Sequence, residues 1–261
     1  MDGLVTAVSA AGGLVLGDGL DVLVERVGAK QPLGPPWWRC PECDDAPDAW
    51  AYVPLAGPIM RARCRRCGAR RQHTARPYLL GVVSAAVLGG FAARFGADVA
   101  LAAFAVLALS LVAISAIDLE RFIIPNRLVY PTLALVAPLL VVASAVDHRW
   151  GGLGRGAIAG AAAFVGFFAV HLAVPRGMGF GDVRLAGLIG LATGWLGLGH
   201  AFVAFFAAFL LGALVGIGVM VVSGGGRKTR IPFGPFMAAG AVIAVVWGNP
   251  VAHALFHHAS T

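Results

Sequence analysis

Charged residues are scarce in this chain of 261 residues: only 13% of it is Asp, Glu, Lys or Arg, and 59% is hydrophobic. An average soluble domain carries about 25% charged and roughly 45–50% apolar residues. The chain therefore has too few polar residues to cover a soluble enzyme of this length. Its 36 Gly and 15 Pro do not indicate disorder, because disordered segments are poor in hydrophobic residues. The composition predicts an all-α polytopic membrane protein.

Acidic residues are also in short supply, with 13 Asp and Glu against 20 Lys and Arg, which gives a net charge of +7. In a soluble protein this balance would raise nucleic acid as a partner. In a membrane protein it has a simpler origin, because Lys and Arg gather in cytoplasmic loops. We therefore expect membrane lipid and no nucleic acid among the partners.

Apolar runs of about 20 residues, the length that crosses a bilayer, occur about eight times. They lie at 4–24, 77–95, 99–117, 128–146, 156–174, 183–198, 201–222 and 235–254. The sequence thus predicts about eight transmembrane helices in three parts: a first span at 1–27, a polar segment at 28–76 and a multi-span domain at 77–261.

The loops between these runs divide the basic residues unevenly between the two sides of the membrane. With loops on alternating sides, seventeen of the 20 Lys and Arg fall on one side. The other side holds only Arg94, Arg149 and Arg155. By the positive-inside rule the first side is cytoplasmic, so we expect a multi-pass protein of the inner or plasma membrane.

Cysteine is rare, and all four cysteines lie in the polar segment. They form two C-x2-C pairs, Cys40/Cys43 and Cys64/Cys67, with 20 residues between the pairs. Two such turns let four thiolates surround one zinc ion tetrahedrally. The segment lies on the predicted cytoplasmic, reducing side, where disulfides are disfavoured. The spacing predicts a small cytoplasmic zinc-binding loop domain in which the zinc is structural.

Two acidic residues stand where apolar runs meet the membrane boundary. Asp118 ends the third run, and Asp182 precedes the sixth. Two spans separate them, so both lie at the cytoplasmic face. Each has an ordinary alternative role, Asp182 as a helix N-cap and Asp118 as an interfacial cap or an ion partner of Arg121. The glycines beside Asp182 and the Ile124-Pro125 break after Asp118 favour a functional site instead.

Two nearby carboxylates suit aspartic proteolysis. Like charges close together do not both ionise readily, so such a pair shares one proton. The ionised member can activate water, and the protonated member can polarise the scissile carbonyl. Asp118 and Asp182 are therefore candidates for such a pair, and topology alone carries the interpretation no further.

Several blocks of the sequence resemble a known family. They read Gly179-Phe180-Gly181-Asp182, then Asp118 through Pro125-Asn126, and Ile231-Pro232-Phe233-Gly234-Pro235-Phe236, together with the tetracysteine segment. With the predicted topology, they resemble the type IV prepilin peptidases, the bacterial GxGD aspartic membrane proteases. The resemblance covers nearly the whole chain.

This resemblance implies a specific activity. Such enzymes cleave the leader peptide of prepilins or pseudopilins on the cytoplasmic side, after a Gly. It implies that Asp118 and Asp182 are catalytic, that Gly179, Gly181, Pro125, Pro232 and Gly234 support the site, and that Cys40, Cys43, Cys64 and Cys67 bind zinc. Many members also methylate the new N-terminus with S-adenosylmethionine. The resemblance does not identify which pilin or pseudopilin is cleaved.

The chain departs from the family pattern in its N-terminal part. Asp18 and Asp21 replace the usual Ser and Asn, and Gly81 stands where a Glu is common. This region is associated with methylation, so we expect methyl transfer to be weak or absent.

Other interpretations stay open at this point. A different GxGD-type intramembrane protease is one, a proton-coupled membrane transporter using the two aspartates is a second, and a zinc-stabilised scaffold is a third. His171, inside the fifth apolar run, is interpreted as a core histidine bonded to a backbone carbonyl, with a proton relay as its alternative.

Overall fold

The structure, a computed structural model, describes residues 2–33, 43, 66–68, 75–174, 178–222 and 231–257. Within these ranges the chain forms eight α-helices and no β-strand, which confirms the predicted all-α fold. The helices are α1 (Asp2–Gly28), α2 (Arg76–Phe95), α3 (Ala100–Arg121), α4 (Asn126–Val146), α5 (Trp150–Ala173), α6 (Phe180–Leu196), α7 (Leu198–Val222) and α8 (Gly234–His257).

Each predicted apolar run corresponds to one helix, but the helices extend further at several ends. The third run was expected to end at residue 117, whereas α3 continues to Arg121. Asp118 therefore belongs to the last turn of this helix. Hydropathy alone marks where a segment stops being apolar, and a helix can continue through polar residues once it reaches the membrane boundary.

Five of the eight helices are long and apolar enough to cross a membrane, namely α2, α3, α4, α5 and α7. A sixth is α1, whose two parts, Asp2–Gly17 and Gly19–Gly28, meet at an angle of 47°. The apolar part of α8 within the described residues, Gly234–Gly248, is shorter. Helix α6 has 17 residues, which is about 25 Å at 1.5 Å per residue. The chain is thus a multi-pass membrane protein, in which five or six helices within the described residues qualify as full-length spans.

The outward face of α7 shows what surrounds the bundle. Large apolar side chains repeat along one stripe of this helix and are about half exposed or more: Phe202, Phe206, Leu210, Leu214, Ile217 and Val221. A soluble protein rarely exposes a continuous apolar stripe of this length. Lipid acyl chains solvate such a stripe at no cost, so it marks the lipid-facing side of the bundle.

Helix α3 lies at the centre of the bundle. It packs against α1, α2, α4 and α8. Its side chains Phe104, Leu107, Ile114 and Ile117 are almost completely buried. Since the helix that carries Asp118 is enclosed on most sides, its last turn is held firmly in place.

Small residues set the distance between neighbouring helices. A Cβ atom on Gly17 of α1 would lie 2.5 Å from the Cα of Gly81 on α2. On α6, a Cβ on Gly190 would lie 2.7 Å from the carbonyl oxygen of Ala159 on α5. The hydrophobic effect does not drive helices together within lipid, so this close backbone approach is a main source of their association.

The contact between α1 and α2 predicts the effect of two alanine substitutions on one helix. Gly17→Ala should destabilise the protein by about 1–3 kcal/mol, because the new methyl overpacks the interface with Gly81. Gly12→Ala is the matched control: nothing lies within 4 Å of its Cβ position, and alanine favours helix by up to about 1 kcal/mol. The unfolding midpoint in detergent measures both. Equal midpoints for the two variants would contradict this packing.

Candidate active site

Asp118 lies in the last turn of α3, and only 5% of the residue is exposed. Its Oδ2 atom accepts a hydrogen bond from the backbone N–H of Gly234, at 2.9 Å. Gly234 is the first residue of α8, so the carboxylate binds a helix N-terminus, where backbone N–H groups have no partner within the helix. The positive end of the helix dipole favours a negative charge there.

Gly234 has no room for a side chain. A Cβ atom at this position would lie 2.7 Å from Oδ2 of Asp118. The bond between α8 and Asp118 therefore depends on a glycine. Pro232 and Phe233 directly precede it, and the ring of Phe233 lies 5.3 Å from that of Phe209 on α7, centre to centre. This aromatic contact fixes the start of α8.

A tight turn joins α3 to α4 just after Asp118. Phe122 closes α3 in the left-handed conformation, with φ of 55°, and its N–H donates to the carbonyl oxygen of Asp118 at 2.8 Å. Pro125 follows with φ of −78° and ψ of 130° and leads into α4. Ile124 is half-buried between these points. The turn presents Ile124 to the segment that carries the second aspartate.

Asp182 lies in the first turn of α6. Its Oδ2 atom accepts a hydrogen bond from the backbone N–H of Gly179, at 3.0 Å. A Cβ atom on Gly181 would lie 2.7 Å from the Cβ of Ile124 and 3.1 Å from its carbonyl oxygen. Only glycine allows this approach, which brings the start of α6 against the turn after Asp118.

The two carboxylates are close enough for the charge of Asp118 to act unfavourably on the ionised form of Asp182. The structure also bears on the ordinary role that each aspartate could have, as an N-cap for Asp182 and as an ion partner of Arg121 for Asp118. Asp182 does satisfy a backbone donor at a helix start, as an N-terminal cap would. Within the described ranges Asp118 forms no ion pair with Arg121. The Arg121 guanidinium instead lies against Gly28 at the end of α1.

This arrangement can support acid–base chemistry. Two carboxylates, each bound by one glycine N–H, lie at the ends of α3 and α6 that approach each other. Their mutual repulsion and partial burial favour a state in which one is ionised and the other protonated. One oxygen can then accept a proton from water while the other donates a hydrogen bond to a carbonyl.

A second pair of residues joins the two segments and could not be recognised from sequence. Arg184 of α6 hydrogen-bonds to the side-chain oxygen of Asn126 at the start of α4. Its guanidinium also lies 4.3 Å from the centre of the Phe180 ring. The two residues are adjacent to the aspartate motifs, but nothing in their spacing indicates that they meet.

A charged network links the N-terminal helices to α3. Arg76 at the start of α2 pairs with Asp21 of α1 and also with Glu120, with 2.9 Å between its Nη1 and Oε1. Glu120 lies two residues after Asp118. Asp21 is 3% exposed, so burial of this carboxylate depends on its cationic partner. The sequence indicated Asp21 only as a departure from a family pattern.

His171 fits its ordinary interpretation. Its Nδ1 atom lies 2.8 Å from the carbonyl oxygen of Met178, and its ring packs 5.6 Å from that of Phe180. The predicted bond to a backbone carbonyl is confirmed. It ties the end of α5 to the residue just before Gly179.

Of the four cysteines, the structure describes Cys43 and Cys67, while Cys40 and Cys64 lie outside the described residues. Among the residues that are described, no group of three or more His, Cys, Asp or Glu side chains could hold a metal ion. The zinc site therefore stays a prediction from spacing. The side chain of Asp18 also lies outside the described part.

Two family models match the chain. The model described as the type IV leader peptidase family matches residues 105–217, which include both aspartates. The model described as the bacterial peptidase A24 N-terminal domain matches residues 12–95.

Several curated proteins are similar over most of their length, and each is named a prepilin leader peptidase/N-methyltransferase. One from Burkholderia pseudomallei (strain 1026b) is 34% identical, covering 87% of this chain and 72% of its own. One from Stutzerimonas stutzeri is 30% identical, and the match covers 89% of this chain and 79% of the relative. One from Bacillus subtilis (strain 168) is 28% identical, and the match covers 92% of this chain and 93% of the relative. No solved structure matches the chain.

Proposed function

The chain belongs to the type IV leader peptidase family, and on this premise we propose that Asp118 and Asp182 are the pair with which it cleaves leader peptides. It is a prepilin leader peptidase, a membrane-embedded aspartic endopeptidase acting on type IV prepilins or pseudopilins. The observation that supports the assignment of residues is the approach of Gly181, next to Asp182, to Ile124 in the turn that follows Asp118.

The chemistry follows from the shared proton of the pair. The ionised carboxylate takes a proton from a water molecule, whose oxygen attacks the scissile carbonyl carbon. The protonated carboxyl donates its hydrogen bond to the carbonyl oxygen, which becomes a hydroxyl of the tetrahedral intermediate. When the C–N bond breaks, the leaving nitrogen takes the proton held by the first carboxylate, and one hydroxyl of the intermediate returns a proton to the second carboxylate as the C=O bond re-forms. Atoms and charge balance, and the pair returns to its initial state.

The other functional classes have less support. A transporter that moves protons through Asp118 and Asp182 is expected to hold them near the bilayer midplane. Both residues instead lie in terminal turns of helices, α3 and α6. No observation favours a different GxGD-type protease or a scaffold over the leader peptidase.

We place the active site on the cytoplasmic side. The ends of α3 and α6 that carry the aspartates belong to the loops with seventeen of the 20 Lys and Arg. The positive-inside rule assigns those loops to the cytoplasm.

The tetracysteine segment suits a structural zinc. Four thiolates from Cys40, Cys43, Cys64 and Cys67 form a closed donor set, which leaves no open position for a water or a substrate. Bound zinc would supply folding free energy to a polar segment too small for its own core. No chemical step of the cleavage involves it.

Methyl transfer is the second activity in the printed names of the relatives, and it would use S-adenosylmethionine. We keep the hypothesis that it is weak or absent here. Gly81 packs against Gly17, and a Cβ at Gly81 would lie 2.9 Å from the carbonyl oxygen of Leu14, so no Glu fits there. Asp21 is engaged by Arg76. Among the described residues, these contacts identify no site for a methyl donor.

Removing either carboxylate should abolish cleavage. Asp118→Asn and Asp182→Asn keep the side-chain shape but cannot take up and return the proton, so we expect at least a thousandfold loss of activity. The double variant should be no worse than either single one, because the pair acts as a unit. The measurement is the mass shift from prepilin to pilin at matched protein level.

Asp147→Asn is the control, since this exposed residue follows α4 at the opposite helix end. Substantial processing by either single variant would remove that residue from the mechanism.

The same mass spectra report methylation: we expect a mature N-terminus that carries little or no methyl group. Full methylation that depends on this protein would overturn that expectation.

The orientation can be tested with introduced cysteines. A membrane-impermeant thiol reagent applied to intact cells should label the Asp147→Cys variant. It should label the Arg127→Cys variant no more than the unsubstituted chain. Arg127 lies at the start of α4, on the side of the active site. The reverse labelling pattern would invert the topology.

Metal analysis tests the zinc site. The purified protein should contain about one zinc per chain, and Cys40→Ser should lower both zinc content and yield because a closed site stabilises the fold. Asp44→Asn, in the same segment, is the control and should retain both. A preparation without zinc whose four thiols titrate freely in the native state would disprove the site.

A further inference from the structure

Three arginines at the helix ends opposite the active site converge on one cavity. Arg94, Arg149 and Arg155 all line a cavity of about 370 Å³, together with Trp195 and His200. These three are also the only Lys or Arg residues that the predicted topology places on that side of the membrane. All the Lys and Arg residues predicted for that face therefore line one cavity.

The cavity is well separated from the two aspartates. Helix α6 carries Asp182 in its first turn and Trp195 in its last. Thirteen residues of helix separate them, which is about 20 Å at 1.5 Å per residue. The remaining walls come from the end of α2 and the starts of α5 and α7.

No acidic side chain of the described part of the chain pairs with these three arginines. Within the described residues, the ion pairs of the structure involve Arg76, and none involves Arg94, Arg149 or Arg155. Aromatic rings lie beside two of them instead, Phe95 at 5.8 Å from Arg94 and Trp195 at 6.0 Å from Arg149. Three guanidinium groups around one cavity repel one another, and the repulsion grows as the local dielectric falls. An anion in the cavity would convert this repulsion into attraction.

The start of α5 adds to the preference for an anion. Gly151 and Gly152 line the cavity in the first turn of this helix, where the dipole is positive. A Cβ on Gly152 would lie 3.0 Å from Nε1 of Trp195. The indole N–H itself donates to Ser144 at 2.8 Å, so the ring is a fixed wall.

The chemistry of the site matches a phosphate group. The planar guanidinium presents paired N–H donors that fit phosphate oxygens, and several arginines together are typical of phosphate recognition. The cavity lies at helix ends, the depth at which lipid headgroups lie. Beside it the start of α7 presents exposed apolar side chains, with Leu198 51% and Phe202 49% exposed, which acyl chains can cover.

We propose that this cavity binds the headgroup phosphate of an anionic phospholipid at the membrane face opposite the catalytic aspartates. The phosphate lies among Arg94, Arg149 and Arg155, and the acyl chains run down the lipid-facing side of the bundle. The lipid relieves the repulsion of the three cations and joins the ends of α2, α5, α6 and α7. This site is independent of the cleavage chemistry.

The test compares ligands on the full chain purified in a nonionic detergent. Phosphatidylglycerol should raise the melting temperature, while phosphatidylcholine with the same acyl chains and inorganic phosphate should have little effect. Replacing all three arginines with glutamine should weaken phosphatidylglycerol binding at least tenfold and remove the stabilisation. Without lipid, the triple variant should melt no lower than the unsubstituted chain, because the repulsion is gone.

Arg127→Gln removes one positive charge, as the single variant Arg155→Gln does, and it is the control for charge because this exposed residue donates to the carbonyl oxygen of Gln31 on the other face. It should respond to phosphatidylglycerol like the unsubstituted chain. If the triple variant does not fold, Arg155→Gln alone should weaken binding severalfold. Equal stabilisation of the arginine variants and the unsubstituted chain would overturn the site. Stabilisation by inorganic phosphate alone, or equally by phosphatidylcholine, would overturn the anionic lipid as its ligand.

Discussion

The approach of Gly181 to Ile124 determines the geometry of the proposed active site. The helices of Asp118 and Asp182 both end at the same face of the bundle, and this contact brings those ends together. It needs a glycine on one side and a sharply turned segment on the other, which Phe122 and Pro125 provide. A larger residue at 181 would separate the carboxylates, and without proximity neither acid would influence the protonation of the other.

Much of this site could be predicted from sequence, because hydropathy reports directly where a chain meets the membrane boundary. Asp118 and Asp182 stand at such boundaries with two spans between them, so their common face follows from counting. The bond between Gly234 and Asp118 could not be predicted, since 116 residues separate the two. The same holds for Arg184 with Asn126: each residue is polar and near a helix end, and such residues have many partners within reach.

The number of membrane spans shows a different limit of sequence reasoning. Counting apolar runs predicted about eight spans, and the described residues form eight helices, but a helix qualifies as a span only by its length and its hydropathy. Helix α6 is short and deeply packed, with both Leu185 and Ile189 buried completely. A helix enclosed by its neighbours needs less length than one that faces lipid. Its first turn places Gly181, next to Asp182, against Ile124 in the turn that follows α3.

The pairing of Arg76 with Asp21 and Glu120 also bears on how the protein is made. Ribosomes deliver helices in order, so α1 and α2 reach the insertion machinery before α3 exists. Asp21 can neutralise Arg76 within this first hairpin, which lowers the cost of bringing either charge to the membrane edge. Glu120 then arrives as a second anion for an arginine already in position. In this order of synthesis the first hairpin holds the charged partner that the end of α3, which carries Asp118, needs in order to pack.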